Sequence, residues 1–372
     1  MTTTLPRPRL DPRLDAPLVG PRVLSIVGDE SGCSLWRAWQ PARFLRLHGY
    51  PCDWVHVRDP SLVNVPLEGY EAIVLCRLAW HQSDRKRAAQ WLDTLRKRGR
   101  KVFFEADDDL FTPFMVAQQL GRINPEKSRA ELEADREAAL WALARCDGVT
   151  VSTQYLASTV RRYTSAPVEV VPNAIDAEWF MSRQRGVPRP CPNVTIGWAG
   201  GNRPDADLAE MAIAWGRIAR RYPDVMFLVF GHQPPVIKEH VPDERVIRIS
   251  WLPTQDYPRG LVGADIGCCP LDETPFNRSK TPIKAWEFSL SGAAVVASPT
   301  VYGKVISDDE SGFLASTADD WEKYLEYLVA HPAEEERRWV AGALRRDVLE
   351  RWSLKANYWR WPAAWHRLMG AQ

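Results

Sequence analysis

The chain has no apolar run near the roughly 20 residues that a bilayer-spanning helix needs, so a helical integral membrane protein is not expected. Residues 1–20 contain no apolar h-region, and no secretory leader is expected. Their many Pro and Arg residues give little to bury, and they read as a loose tail. Charge imbalance is almost absent, with 48 basic residues against 47 acidic and a net charge of +1. A chain that binds nucleic acid through bulk phosphate contacts is usually more basic. No nucleic-acid partner is expected, and any phosphate site must be local. The seven Cys show no zinc-ligand spacing, and Cys268 and Cys269 are adjacent. Free thiols in a reducing cytoplasm are the simple reading. The seven His form no cluster with ligand spacing, and no metal is expected. The fingerprint G-x-G-x-x-G is also missing after the first strand, which argues against a dinucleotide.

What is present is ordinary globular composition, with 45% apolar and 26% charged residues over 372 positions. That length suggests two domains. Short β-branched runs alternate with helical patterns. Arg22–Val27, Cys52–Val57, Ala72–Cys76, Lys101–Glu105, Gly148–Ser152 and Val168–Val171 read as strands of a first half. Between them, Ala88, Trp91, Leu92 and Leu95 recur at i, i+3, i+4, i+7, which predicts a helix over Ser83–Arg98 with Ser83 as N-cap. A second cycle follows the Pro-rich stretch Gly186–Pro192. Its strands are Asn193–Trp198, Val225–Phe230, Arg245–Ile249, Asp265–Cys269 and Ala293–Ser298, with helices over Asp207–Arg221 and Pro282–Ser291. Strands separated by helices imply βαβ units and parallel sheets.

The expected class is therefore α/β, with two doubly wound Rossmann-like domains facing a cleft. Their bounds are 21–185 and 193–350, and residues 351–372 form a closing helix. Leu354, Tyr358, Trp361, Trp365 and Leu368 form its apolar stripe, and Pro362 should kink or divide it. Packing on the body or peripheral contact with a membrane surface are both open for that stripe, given Arg351, Lys355, Arg360 and Arg367.

In open α/β sheets ligands bind beyond the carboxyl ends of strands, and several candidate residues fall there. Gly28 and Gly32 follow the first strand. Asp107, Asp108 and Asp109 follow the fourth, and three adjacent carboxylates repel, so one should have a raised pKa or a cationic partner. Arg77, after the third strand, is a lesser candidate. In the second half, Gly200 and Gly201 allow backbone N–H groups to approach a phosphate, and Arg203 adds charge. Gly231, Trp251 and Leu252 also follow strands, with Trp251 either a core residue or a ring set against a base. Thr281 is a candidate N-cap, with Pro282 at the first helical position and Lys280 just before it. A helix N-terminus flanked by basic residues is an anion site. Lys284 and Glu287 lie on one polar stripe. Glu287 there can accept two sugar-hydroxyl bonds, or it forms only a surface pair with Lys284 worth a few tenths of a kcal/mol.

The segment Asn277-Arg278-x-Lys280-x3-Lys284-x2-Glu287 resembles the N-R-x-K-x-x-x-K-x-x-E variant of family 4, or group 1, glycosyltransferases of the GT-B fold. Gly292–Ser298 resembles their G-x-P-V-V-A-S strand, Glu310–Leu314 their E-N-G-L-L, Val171–Asp176 their I-P-N-G-V-D, and Asp107–Phe111 their D-D-D-L-F. The resemblance implies transfer of a sugar from a nucleotide-diphosphate donor, UDP- or GDP-linked, to an acceptor the sequence does not identify, with the nucleotide sugar as substrate and no further cofactor. It gives the first domain the acceptor and the second the donor, with the first domain's loop from Gly28 to Gly32, similar to the family's flexible Gly loop, facing the donor sugar. Glu287 would hold the ribose, and Lys280 the diphosphate as a candidate catalytic residue. Asp107 and Asp108 would be candidate bases toward the acceptor. The implied reaction retains configuration and needs no metal. The first Glu of the family's Glu-x7-Glu falls on Ser279, which leaves the sugar open. Rival readings are an epimerase or phosphorylase on the same fold, a non-catalytic nucleotide-sugar binder or scaffold, and a metal-dependent transferase using the Asp cluster.

Overall fold

The computed structural model describes residues 20–28, 32–59, 67–120, 126–202, 205–330 and 333–370. The expected tail falls almost wholly outside these residues, as does Arg203. The chain divides into two compact units. Among the described residues, one comprises those up to 120, 126–176 and 357–370, and the other 177–356. The chain thus leaves the first unit after Asp176, ahead of the Pro-rich stretch, and returns to it at Asn357.

The first unit holds a parallel sheet of six strands. These are β1 (Val23–Val27), β2 (Cys52–His56), β3 (Ala72–Cys76), β4 (Lys101–Ala106), β5 (Gly148–Val151) and β6 (Val168–Val170). Their order is β2-β1-β3-β4-β5-β6. Strands buried on both faces need continuous apolar runs rather than alternation, and β1 and β3 are buried at every position. Ile26, Ile73, Leu75, Phe104 and Val149 form the centre of this core. The order reverses between β1 and β3, both of which pair in register with one another.

The second unit repeats the plan with β7 (Thr195–Gly200), β8 (Met226–Gly231), β9 (Val246–Ile249), β10 (Ile266–Cys269), β11 (Ala294–Ala297) and β12 (Phe313–Leu314), in the order β12-β11-β10-β7-β8-β9. Its switch lies between β7 and β10. Trp198, Trp215, Phe227 and Trp321 fill the core on one face.

Two helix starts differ from the sequence reading. The helix Arg85–Lys97 begins after Asp84, not at Ser83, whose hydroxyl instead donates to the Asp84 carboxylate at 3.2 Å. The helix Ile283–Leu290 starts after Pro282, whose ψ of 35° is not helical, so Thr281 is not its cap. At the C-terminus, helix Arg360–Leu368 is separated from Leu354–Asn357 by a turn at 358–359. The ring of Pro362 clashes with a helical carbonyl four residues earlier, which puts the break at Tyr358. Trp361, Trp365 and Leu368 are buried, and the helix packs on β5 and β6. Among the described residues no helix is long and apolar enough to cross a membrane.

Candidate functional site

In the second unit, three of the candidate positions, Gly200, Gly201 and Gly231, lie at the carboxyl ends of β7 and β8. Gly200 ends β7 and Gly231 ends β8, and the two pair in register. The Gly200 carbonyl accepts a bond from the His232 amide at 2.9 Å. Gly231 has φ +94°, and a Cβ there would stand 2.6 Å from the Gly200 oxygen. Only glycine fits both demands. The Trp251 indole lies over Gly201 and Gly231, yet it is 57% exposed. It is therefore a surface ring, not a core one. Leu252, beside it, is half-buried.

The polar stripe on Ile283–Leu290 is not a surface pair. Glu287 is 1% exposed. Its Oε2 accepts from Lys284 Nζ at 2.8 Å and from the Tyr257 hydroxyl at 2.8 Å. The same ammonium also donates to the Tyr257 oxygen and sits 4.8 Å from that ring's centroid. Both bonds to the carboxylate go to Oε2. Tyr257 in turn stacks on Phe230 at 5.0 Å, and Trp251 lies 6.4 Å from Tyr257. This aromatic row joins the end of β8 to Glu287. Sequence reasoning missed Tyr257, because nothing in its neighbourhood marks a residue 30 positions from its partner.

The N-R-x-K segment splits by role. Asn277 is buried and donates to Asp207 Oδ1 at 2.7 Å and to the Asp272 carbonyl at 3.0 Å. Arg278 pairs with Glu273 at the surface. Both hold the loop before the helix. Ser279, in place of the family's first Glu, is buried, and its hydroxyl donates to the Phe276 carbonyl at 2.6 Å. Lys280 is half-buried, with its ammonium 4.3 Å from the Phe276 ring centroid.

In the first unit, the Asp cluster separates. Asp109 is buried and serves the backbone, accepting from the amides of Phe111 at 3.0 Å and Thr112 at 3.1 Å. Asp107 and Asp108 face the Arg77 guanidinium, whose Nη1 lies 3.4 Å from Asp107 Oδ1, 3.2 Å from Asp108 Oδ2 and 2.5 Å from Cys33 Sγ. Burial, then the neighbouring Asp108, pushes the Asp107 carboxyl up, against the pull of Arg77. Arg77 itself has φ +51°, a left-handed conformation rare for a residue with a long side chain. Gly28 packs against it, since a Cβ there would stand 3.2 Å from the Arg77 carbonyl oxygen. Gly32 opens the short helix Gly32–Ser34 that carries Cys33. The ligand atoms of Cys33, Asp107 and Asp108 lie within 4.8 Å of one another, a spacing that also suits a cation. The Arg77 guanidinium stands among them and supplies positive charge.

Behind this cluster lies a buried network. Arg37 donates from Nε to Glu105 at 2.9 Å, and from Nη1 to the Val171 carbonyl and to Asn173, each at 2.7 Å. Asp176 accepts from the side chain of Arg43, and its amide donates to Gln40 at 3.0 Å. The Val171–Asp176 segment is thus fixed to the first unit by side chains of the helix that follows β1. Burial pushes Glu105 up to about 7, opposed by Arg37.

No protein-family profile matches the chain. It is 26% identical over 204 residues, 49% of this chain, to a protein of Bacillus subtilis that carries the name teichuronic acid biosynthesis glycosyltransferase TuaH. The match spans about half the length of that relative (50%). Among solved structures, it is similar to sucrose-phosphate synthase of Thermosynechococcus elongatus, with a TM-score of 0.62 at 14% identity over 94% of this chain and 100% of that one. It is also similar to Anabaena HepE in complex with UDP and glucose, with a TM-score of 0.61 at 13% identity over 93% and 100% of the two chains. The chain therefore has the GT-B fold, with two parallel six-stranded sheets and flanking helices.

Proposed function

We propose that this protein is a glycosyltransferase that takes a sugar from a UDP- or GDP-linked donor and passes it to an acceptor. The observation that carries this reading is the buried Glu287 carboxylate, pinned through one oxygen by Lys284 and Tyr257 beside an exposed Trp251 and the glycine ends of β7 and β8. A carboxylate held this way can accept two bonds from a ribose diol, while the ring can lie against a base. The name of the Bacillus relative and the UDP and glucose bound by HepE support the same reading.

In this account Lys280, Arg203 and the amides at Gly200 and Gly201 stabilise the charge that grows on the leaving diphosphate. Removing one such group by Lys280→Ala should lower the rate about 10²–10³-fold. Asp107 or Asp108, held by Arg77, takes the proton from the acceptor hydroxyl. Configuration at the sugar is retained, and no divalent cation is needed, so EDTA should leave turnover unchanged. The setting is the cytoplasm, where the seven cysteines, none in a disulfide among the described residues, remain reduced.

The test is thermal melting with UDP-, GDP-, TDP- and ADP-sugars for wild type and Glu287→Ala. A donor at about 100 times its Kd adds roughly 2.7 kcal/mol. One base family should raise the wild-type melting temperature, and the variant should lose the effect. If no nucleotide acts at millimolar concentration, the donor site is refuted and a non-catalytic scaffold becomes the better reading.

A further inference from the structure

A second site lies in the first unit, beside Arg77 and formed by none of the residues given roles above. A cavity of about 350 Å³ is lined by Ile26, Val57, Leu78, Trp80, Ala88 and Trp91, with Asp84 and Arg87 at its edge. Its floor comes from Ile26 near the end of β1 and from Val57 and Leu78, just past the ends of β2 and β3. That is the carboxyl end of the sheet, at the point where strand order reverses, and open α/β sheets bind ligands there. Its wall is aromatic. Trp80 lies 6.3 Å from Trp91 and 6.0 Å from Trp141, both tilted or edge-on.

The charge around it is unusual for a helix start. Arg85, Lys86 and Arg87 occupy the first turn of Arg85–Lys97, which has no acidic residue, and Asp84 gives no side-chain cap bond. Cations there oppose the helix dipole. Arg85 is committed, donating to the Trp80 carbonyl at 3.3 Å. Among the described residues, Arg87 is exposed and makes no hydrogen bond or ion pair. Arg85, Lys86 and Arg87 outnumber the Asp84 carboxylate, so the helix start beside the aromatic pocket carries net positive charge and favours an anion.

We infer that this cavity binds a planar aromatic group bearing an anionic substituent, the ring against Trp80 and Trp91 and the anion at Arg87. The volume is at the low end for ligand pockets, about 300–1,000 Å³, so it suits a one- or two-ring group. Leu78 of the cavity adjoins Arg77, which holds Asp107 and Asp108. On the transferase reading the occupant is the acceptor, and that step alone rests on it.

Calorimetric titration of the full chain with 2-naphthoate, uncharged 2-naphthol and decanoate tests the inference. Naphthoate should bind more tightly than either. Arg87→Glu, at an exposed position, should weaken naphthoate by about fivefold and leave naphthol within about twofold. Ala88→Leu, which narrows the cavity, should weaken both ring compounds. Unchanged naphthoate binding in Arg87→Glu overturns the inference, as does decanoate binding as tightly as naphthoate. UDP and GDP titrated in parallel separate the two claims. Naphthoate binding absent from wild type while either nucleotide binds refutes the pocket alone, and naphthoate binding with neither nucleotide bound refutes the donor site alone.

Discussion

Tyr257→Phe removes one oxygen and keeps the ring. In the structure that oxygen donates to Glu287 and accepts from Lys284, in a setting where Tyr257 is 8% exposed and Glu287 is 1% exposed. The stacking on Phe230 survives the change. A hydrogen bond to a charged group is worth about 1.5–3 kcal/mol net. For a unit of this size each kcal/mol moves the melting temperature by about 2–4 °C, so the transition of the second unit should fall by about 3–12 °C. Lys284 remains to hold the carboxylate, so the unit should still fold. Nucleotide affinity should drop as well, because Glu287 loses half of what orients it. A loss of about 1.4 kcal/mol in binding would read as tenfold in Kd. The assay is calorimetric melting with both transitions fitted, followed by titration with the nucleotide that stabilises the wild type. If melting and affinity are both unchanged, Tyr257 does not position Glu287 and the reasoning fails.

Three further predictions follow from named contacts. Gly231→Ala should destabilise the second unit by about 1–3 kcal/mol or more and abolish nucleotide binding, since φ is +94° and the Gly200 oxygen blocks a Cβ; equilibrium denaturation checks it. Arg77→Ala removes the cation facing Asp107 and Asp108, so the Asp107 carboxyl should rise further and the acid limb of the pH–rate profile should move to higher pH. Glu105 gives a pH dependence of stability whose sign is fixed by its raised value of about 7 against an ordinary 4.5. Below 4.5 both states hold the proton; between 4.5 and 7 the unfolded state loses it first, so stability falls as pH rises through that window. Wild type should lose up to about 3 kcal/mol there relative to Glu105→Gln, seen in urea titrations at several pH values.

The strands were legible because parallel strands buried on both faces are written as near-continuous apolar runs, as in Ala72–Cys76 and in Val23–Val27, where Ser25 alone is polar. Helix starts were less so. Ser83 has the right chemistry for a cap, but its hydroxyl turns to Asp84, and tertiary placement decides between neighbouring Ser and Asp. In the second unit the Lys284–Glu287 spacing was visible, and its burial was not. Burial comes from Tyr257 and the aromatic row, whose members are close only after folding. Trp251 could not be sorted between core and surface for the same reason. Arg77's left-handed backbone leaves no trace in sequence, since such a conformation is usually marked by Gly or Asn. Asp107, Asp108 and Asp109 look alike as a triplet, yet backbone bonds at Phe111 and Thr112 assign Asp109 to structure.

The most direct measurement is a crystal structure of the protein with UDP or GDP, whichever stabilises it. The account predicts ribose hydroxyls within hydrogen-bond distance of Glu287, the diphosphate beside Lys280 and the Gly200–Gly201 amides, and the base against Trp251. A nucleotide bound elsewhere, with the Glu287 carboxylate touching only Lys284 and Tyr257, would contradict it.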